Sequence, residues 1–173
     1  MLKSKLTKKE KEQFIEELKL FFDLNYSPKK EDEFLNSISK SSDEKKIFLN
    51  YGIPEFELFI QDILLYINND GSLNYKKLNA SKAEKEYTLY FKRLYNFFKY
   101  KFGAVRVELI PTYRDYLNCE ENEKVAVLYF LDKNLYLKFS ASSYNPTGDV
   151  CLKWDTIYEV VPEIVEVIQY NKV

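Results

Sequence analysis

A chain of 173 residues with 15 Tyr and 13 Phe but no His has the length for one well-buried domain, and it lacks the side chain on which most hydrolytic and metal chemistry relies. That excludes a Ser-His or Cys-His nucleophile pair, a histidine general base and a histidine-held zinc or haem. Hydrophobic residues at 46%, charged residues at 31% and a net charge of -1 fit a globular chain, while four Gly leave little for phosphate-cradling loops.

Thr7 with Glu10 predicts a capping box, and Phe14, Leu18, Phe21 and Phe22 follow at helical spacing, so a first amphipathic helix runs to about Leu24. Asn25 and Tyr26 end it. Ser27 caps a second helix with Pro28 at its first position and Phe34, Leu35 and Ile38 on its buried face. Ser41 with Glu44 forms a second capping box for a third helix, which stops at Gly52 after Tyr51. Pro54 opens a fourth. In it Phe56, Phe59, Ile60, Ile63, Leu64 and Ile67 form one stripe that Leu58, Leu65 and Tyr66 widen, a pattern expected at the centre of the core. Ser81 with Glu84 caps a long fifth helix ending at Gly103, with Ala83, Tyr87, Phe91, Leu94, Phe98 and Phe102 as its core stripe.

After Gly103 the period changes to two. Val105, Val107 and Leu109 alternate with Arg106 and Glu108, predicting a strand with one wet face, and Val125 to Leu131 is apolar on both faces, as an inner strand would be. Asp132-Lys133-Asn134 makes a tight turn into Leu135 to Ala141, closing an antiparallel hairpin. Asn145-Pro146-Thr147-Gly148 is a turn leading to a further strand with Val150, Leu152 and Trp154 on one face. A last helix carrying Ile164, Val165 and Ile168 starts at Asp155 or Pro162. The expected class is α+β, with a helical region of about five helices over 1–103. Over 104–173 it has an antiparallel sheet of about four strands and a C-terminal helix, the two parts forming one compact unit.

Two cysteines, Cys119 and Cys151, and a lysine-rich start with no apolar run behind it suggest a cytoplasmic protein with free thiols. The longest apolar stretch, Phe56 to Ile67, is broken by Glu57, Gln61 and Asp62 and falls short of the roughly 20 residues of a membrane span. The bias toward Lys, Asn, Ile, Tyr and Phe points to an AT-rich genome, that of a low-GC bacterium, a phage or another mobile element. Charge is segregated: residues 12–75 hold 6 bases against 13 acids and residues 76–101 hold 8 against 2, so a basic helix follows an acidic region.

Several clusters invite a functional reading. Asn68-Asn69-Asp70-Gly71-Ser72-Leu73-Asn74-Tyr75 resembles the centre of an EF-hand loop, with Asp70, Gly71 and Leu73 where that family has an acidic ligand, the turn glycine and the apolar residue. Tyr66 stands at the first ligand position and Lys77 at the twelfth, where the family needs a carboxylate, so the loop is an Asp-Gly helix exit and neither metal nor cofactor is expected. Lys85, Lys92 and Lys99 line up along the fifth helix with Tyr95 near them, a pattern that could follow a nucleic-acid backbone by charge and stacking, although a solvated lysine face is the commoner meaning. The loop Pro111-Thr112-Tyr113-Arg114-Asp115-Tyr116, with Tyr144 at the same end of the sheet, carries the Tyr and Arg that dominate interface hot spots; the competing role is to fold back over a sheet edge. Glu120-Glu121-Asn122-Glu123 is a solvated acidic loop or a phosphate mimic toward a basic partner.

Catalytic readings have less to stand on. A histidine-free, metal-dependent nuclease could draw on Glu108, Asp149 and Lys138, whose spacing matches no template. Acyl transfer would need a glycine-rich turn, and Gly148 stands alone. Cys119 and Cys151 have no base beside them in sequence. By elimination the expected role is non-enzymatic protein binding, as in an inhibitor, an immunity protein or a phage-encoded anti-defence protein, with Tyr113, Arg114, Tyr116 and Tyr144 as the partner site and no membrane involved. The alternative is nucleic-acid binding through Lys85, Lys92, Tyr95 and Lys99.

Overall fold

The computed structural model describes residues 4–22, 29, 32, 33, 35, 36, 42–110, 122–143 and 152–163, and the first helix starts where its capping box puts it. The Thr7 hydroxyl oxygen accepts from the Glu10 amide, and the Glu10 carboxylate accepts from the Thr7 amide at 2.7 Å, satisfying two of the donors that a helix start leaves open. The Thr7 hydroxyl, which donates to the same carboxylate at 2.7 Å, and then the Thr7 amide hold the Glu10 carboxyl below its usual range. Helix α1 (Lys8–Phe21) then buries Phe14, Leu18 and Phe21. In the next expected helix Lys29, Asp32, Glu33, Leu35 and Asn36 are helical and Leu35 is buried, while Ser27, Pro28, Phe34 and Ile38 lie outside the described residues.

Helix α2 (Ser42–Tyr51) stops at Gly52, whose φ of 72° suits glycine and whose amide closes on the Phe48 carbonyl. Helix α3 (Phe56–Tyr66) buries Phe56, Phe59, Ile60 and Ile63. Its apolar surface is wider than the face that meets the core, so Leu58, Leu64 and Leu65 remain exposed at 49%, 43% and 56%. A one-turn helix, α4 (Tyr75–Asn79), has no counterpart in the sequence reading; the Asn74 side-chain oxygen caps it by accepting from the Lys77 amide at 3.0 Å.

Helix α5 (Lys85–Phe102) begins later than the Ser81 and Glu84 pair predicted. The Ser81 hydroxyl oxygen accepts from the Ala83 amide two residues on, which makes a local turn and not a cap, and Glu84 is the N-cap without a side-chain bond. Ala83 is accordingly exposed and outside the helix. Tyr90, Phe91, Leu94, Tyr95, Phe98 and Phe102 form the buried face.

Gly103, at φ 99°, turns the chain from helix into sheet. Strands β1 (Val105–Ile110), β2 (Asn122–Phe130), β3 (Leu135–Ser143) and β4 (Leu152–Val160) form an antiparallel meander in the order β1-β2-β3-β4. The hairpin turn is a short 3-10 segment, Leu131–Lys133, closed by Asn134 in the left-handed region at φ 48°. The register pairs Val107 with Leu128 and Leu128 with Leu137, so alternation puts Val105, Val107, Leu128, Phe130, Leu135, Leu137 and Phe139 on one face. The helices cover that face. Phe14 meets Phe130 edge-on at 4.9 Å, Phe56 stacks on Phe139 at 4.5 Å and Phe98 lies 6.2 Å from Phe130, geometries worth about 0.5–1.5 kcal/mol each beyond the buried area. Lys11 of α1 reaches across to Glu159 of β4, at 2.6 Å.

Two expectations need correction. The segment from Asp155 does not start a helix: 155–160 complete β4, where Ile157 pairs with Phe139 and Tyr158 with Lys138, a β-branched and aromatic alternation that suits a pleated surface better than a helix. The described chain therefore ends in a strand and three further residues, and a helix from Pro162 through Ile164, Val165 and Ile168 would lie outside the described residues. Leu109, expected inside with Val105 and Val107, is 55% exposed near the end of edge strand β1. The turn at Asn145-Pro146-Thr147-Gly148 is likewise outside them. Among the described residues no helix is long and apolar enough to cross a membrane.

Candidate functional site

The face of the sheet turned away from the helices carries a row of large amphipathic side chains. Register places Arg106 opposite Tyr129 and Tyr129 opposite Tyr136. The two rings stack with centroids 4.1 Å apart and 17° between planes, and the Arg106 guanidinium carbon stands 5.3 Å from the Tyr129 ring centroid. The Tyr129 hydroxyl donates to the Asn134 side-chain oxygen at 3.1 Å, fixing the ring to the hairpin turn. In the next row Glu108, Val127, Lys138 and Tyr158 follow one another; Lys138 holds its ammonium 5.7 Å from the Tyr158 ring centroid and Glu108 stands 3.8 Å from Arg106. Burial first, then Tyr129, pushes the Tyr136 phenol above its usual range. The Arg106 Nε is buried with no hydrogen-bond partner among the described residues.

A second feature lies on the helical side, where α2, α3 and α5 meet. Tyr51, Tyr87 and Tyr90 touch one another with centroids 4.9–5.9 Å apart, and with Ile53, Pro54, Glu55 and Leu58 they line a cleft of about 150 Å³. Asp62 of α3 points into it. Its Oδ2 accepts from the Tyr87 hydroxyl, and the Tyr90 hydroxyl donates to the Gly52 carbonyl at 3.2 Å. Burial raises the Asp62 carboxyl above its usual range despite the Tyr87 bond, and burial together with the Asp62 charge raises the Tyr87 and Tyr90 phenols. In the sequence Asp62 registers only as a break in an apolar run. Asp62 and Tyr87 are separated by two loops and the short helix α4, and nothing local announces their pairing.

The predicted site residues are distributed differently. Tyr113, Arg114, Tyr116, Tyr144, Asp149, Cys119 and Cys151 lie outside the described residues. Lys85 and Lys99 are exposed on α5, while Lys92 is half-buried with its ammonium 5.2 Å from the Tyr75 ring centroid. Tyr95 is not an exposed stacking residue beside them: it is fully buried between Phe91 and Phe98, four residues after the first and three before the second, and so belongs to the core stripe. Glu108 and Lys138 share the outer face but are two strand spacings apart, roughly 9.5 Å, with Val127 between them.

The EF-hand-like loop is closed on itself. The Asp70 carboxylate accepts from the Ser72 amide at 2.9 Å and from its hydroxyl at 2.6 Å, bonds that hold Asp70 below the usual carboxylate range. Asn68 donates to the Ser72 hydroxyl and accepts from Asn74. Among the described residues no three His, Cys, Asp or Glu side chains gather as a metal site.

No family model matches the chain, and neither the curated proteins nor the solved structures offer a match.

Proposed function

We propose that this chain is a non-enzymatic protein-binding module, of the kind that serves as an inhibitor, an immunity protein or an anti-defence protein of a phage or mobile element. Its contact surface would be the outer sheet face together with Tyr113, Arg114, Tyr116 and Tyr144. The observation that supports this reading is the stacked row Arg106, Tyr129 and Tyr136. Tyr and Arg carry a large share of binding energy at interfaces, and side chains already held by stacking on a rigid sheet lose little further entropy when a partner covers them. A module of this kind acts by occlusion and needs no reactive group of its own. The test is capture of a partner from the native host with wild type, Arg106→Ala and Tyr136→Ala, each checked for an unchanged far-UV spectrum. Loss of the same captured protein in both variants supports the reading; capture indifferent to both overturns the assigned surface.

The second reading, nucleic-acid binding through α5, draws on the exposure of Lys85 and Lys99. Without Tyr95 as a stacking platform it rests on charge alone, and charge alone gives affinity that falls steeply with salt and has no sequence preference.

A further inference from the structure

The cleft between α2, α3 and α5 combines three properties that solvated surfaces rarely bring together. It is walled by tyrosine rings, it is lined by the two carboxylates Glu55 and Asp62, and among the described residues that line it there is no lysine or arginine to neutralise them. The Asp62 oxygen that does not accept from Tyr87 has no donor among the described residues. A half-buried carboxylate with no cation beside it is stabilised by an incoming one, and the negative faces of the neighbouring aromatic rings attract the same charge. Glu84 and Glu86 extend the negative field to Tyr51, whose phenol they push up after burial has done so.

The shape narrows the choice of cation. The tyrosine rings are in mutual contact at 4.9–5.9 Å, so they form one continuous wall and leave no gap between rings for a bulky quaternary ammonium. The space of about 150 Å³ is that of a cavity that admits one small group of about six non-hydrogen atoms. Leu58, Ile53 and Pro54 in the same lining offer apolar contact to a methylene chain, and Asp62 and Glu55 offer carboxylates to a cation. A primary ammonium on a four-carbon stem matches each of these features. A free amine of that size would bind only at about the millimolar level, whereas the same group carried by a larger contact surface adds its share to an interface.

We infer that the cleft formed by Tyr51, Glu55, Leu58, Asp62, Tyr87 and Tyr90 receives a lysine side chain from a protein partner. This rests on the protein-binding reading but uses a second surface, on the opposite side of the molecule's core from the Arg106, Tyr129 and Tyr136 row.

The experiment is a titration of the intact chain with Nα-acetyl-lysine N-methylamide and, separately, with its norleucine counterpart, which keeps the stem and lacks the ammonium. Tyrosine ring signals are followed by NMR. The lysine probe should shift Tyr51, Tyr87 and Tyr90 saturably at about millimolar concentration, and the norleucine probe should be at least about tenfold weaker. Asp62→Asn should bring the lysine probe down to the norleucine level. Equal responses to the two probes, no saturation, or shifts at other tyrosines would overturn the assignment. The first comparison needs no variant and does not depend on one folding. A failed titration accompanied by partner capture that still requires Tyr136 would remove the lysine site and leave the protein-binding reading standing.

Discussion

The Tyr95 hydroxyl donates to the carbonyl oxygen of Gly71 at 2.8 Å, tying the middle of α5 to the Asp-Gly loop 24 residues earlier in the chain. Both partners are buried, and Gly71 sits at φ 77° with no space for a side chain, since a Cβ there would stand 2.5 Å from the Ala104 Cβ. Tyr95→Phe leaves a buried carbonyl without its donor and should cost about 1–3 kcal/mol, read as a lower urea midpoint at unchanged slope. Gly71→Ala meets the steric clash and the left-handed backbone together and should cost more than Tyr95→Phe. The reverse order would mean that the loop moves easily and that Tyr95 does not hold it.

The same loop yields a prediction about calcium. Its polar side chains already satisfy one another through Asp70, Ser72, Asn68 and Asn74, and the first and twelfth ligand positions hold Tyr66 and Lys77. Calorimetric titration with Ca²⁺ at micromolar levels should give no binding heat, because the loop has no closing carboxylate and a lysine stands in its place. Asp70→Ala should lower the melting temperature without altering any response to the ion. A micromolar site lost in Asp70→Ala would reverse this.

How far the sequence disclosed these features follows from the range of the interactions involved. The Thr7 capping box, the Gly52 stop and the Asp132-Lys133-Asn134 turn depend on residues within a few positions of each other, and each stands where local chemistry put it. The antiparallel sheet was legible because its period of two reports one buried face. Tyr95 packs with the phenylalanines and not with the lysines because the core stripe on α5 is wider than a single row, and in sequence a tyrosine at the border of such a stripe looks alike in either role. Asp62 with Tyr87, and Arg106 with Tyr129 and Tyr136, are joined by packing and strand register, which no local pattern encodes. The end of β4 was lost to a competing helical pattern further along the chain.

Asp62 sets a pH dependence whose sign can be stated. Its carboxyl is raised in the folded chain by burial, so the folded state binds its proton more tightly than the unfolded state, in which the group titrates near 3.9. The contribution it makes to stability is fully present below that value and is lost as pH rises through the raised folded value. Asp62→Asn keeps an acceptor for the Tyr87 hydroxyl and removes the ionisation. The variant should therefore be more stable than wild type at neutral pH, with the difference shrinking as the medium is made acidic. Denaturant midpoints at several pH values read this directly, and a variant less stable at neutral pH would show that the carboxylate charge is needed by the fold.

The lysine row on α5 should behave as a solvated face. Lys85 and Lys99 are exposed, and Lys92 covers Tyr75, so reversing Lys85 and Lys99 to Glu should change the melting temperature by no more than a few degrees. Filter binding with a mixed-sequence DNA or RNA at low and at physiological salt provides the contrast. Binding by wild type that weakens steeply with salt and disappears in the double reversal would move the function to this helix.

The Arg106, Tyr129 and Tyr136 row allows stability and affinity to be separated. Tyr129 is held at three points, by the Asn134 oxygen, by the Tyr136 ring and by the guanidinium, so Tyr129→Ala removes fold contacts as well as surface and is a poor probe of binding. Tyr136 and Arg106 flank it. Each has one principal contact in the row, so truncating either should cost the free chain about 1 kcal/mol or less, the scale of a partly exposed cation–π or ring pair. In a complex that covers this face the same truncations should each cost about 2 kcal/mol or more, since a hot-spot anchor is then desolvated on both sides. Tyr113→Ala and Tyr144→Ala should weaken the same complex while lowering the melting temperature by no more than a few degrees. The check is a pair of measurements on each variant, thermal melting alone and affinity for the captured partner. Affinity unchanged in Arg106→Ala and Tyr136→Ala but reduced in Tyr113→Ala and Tyr144→Ala would confine the contact to the segments of those two tyrosines and release the sheet face from that role.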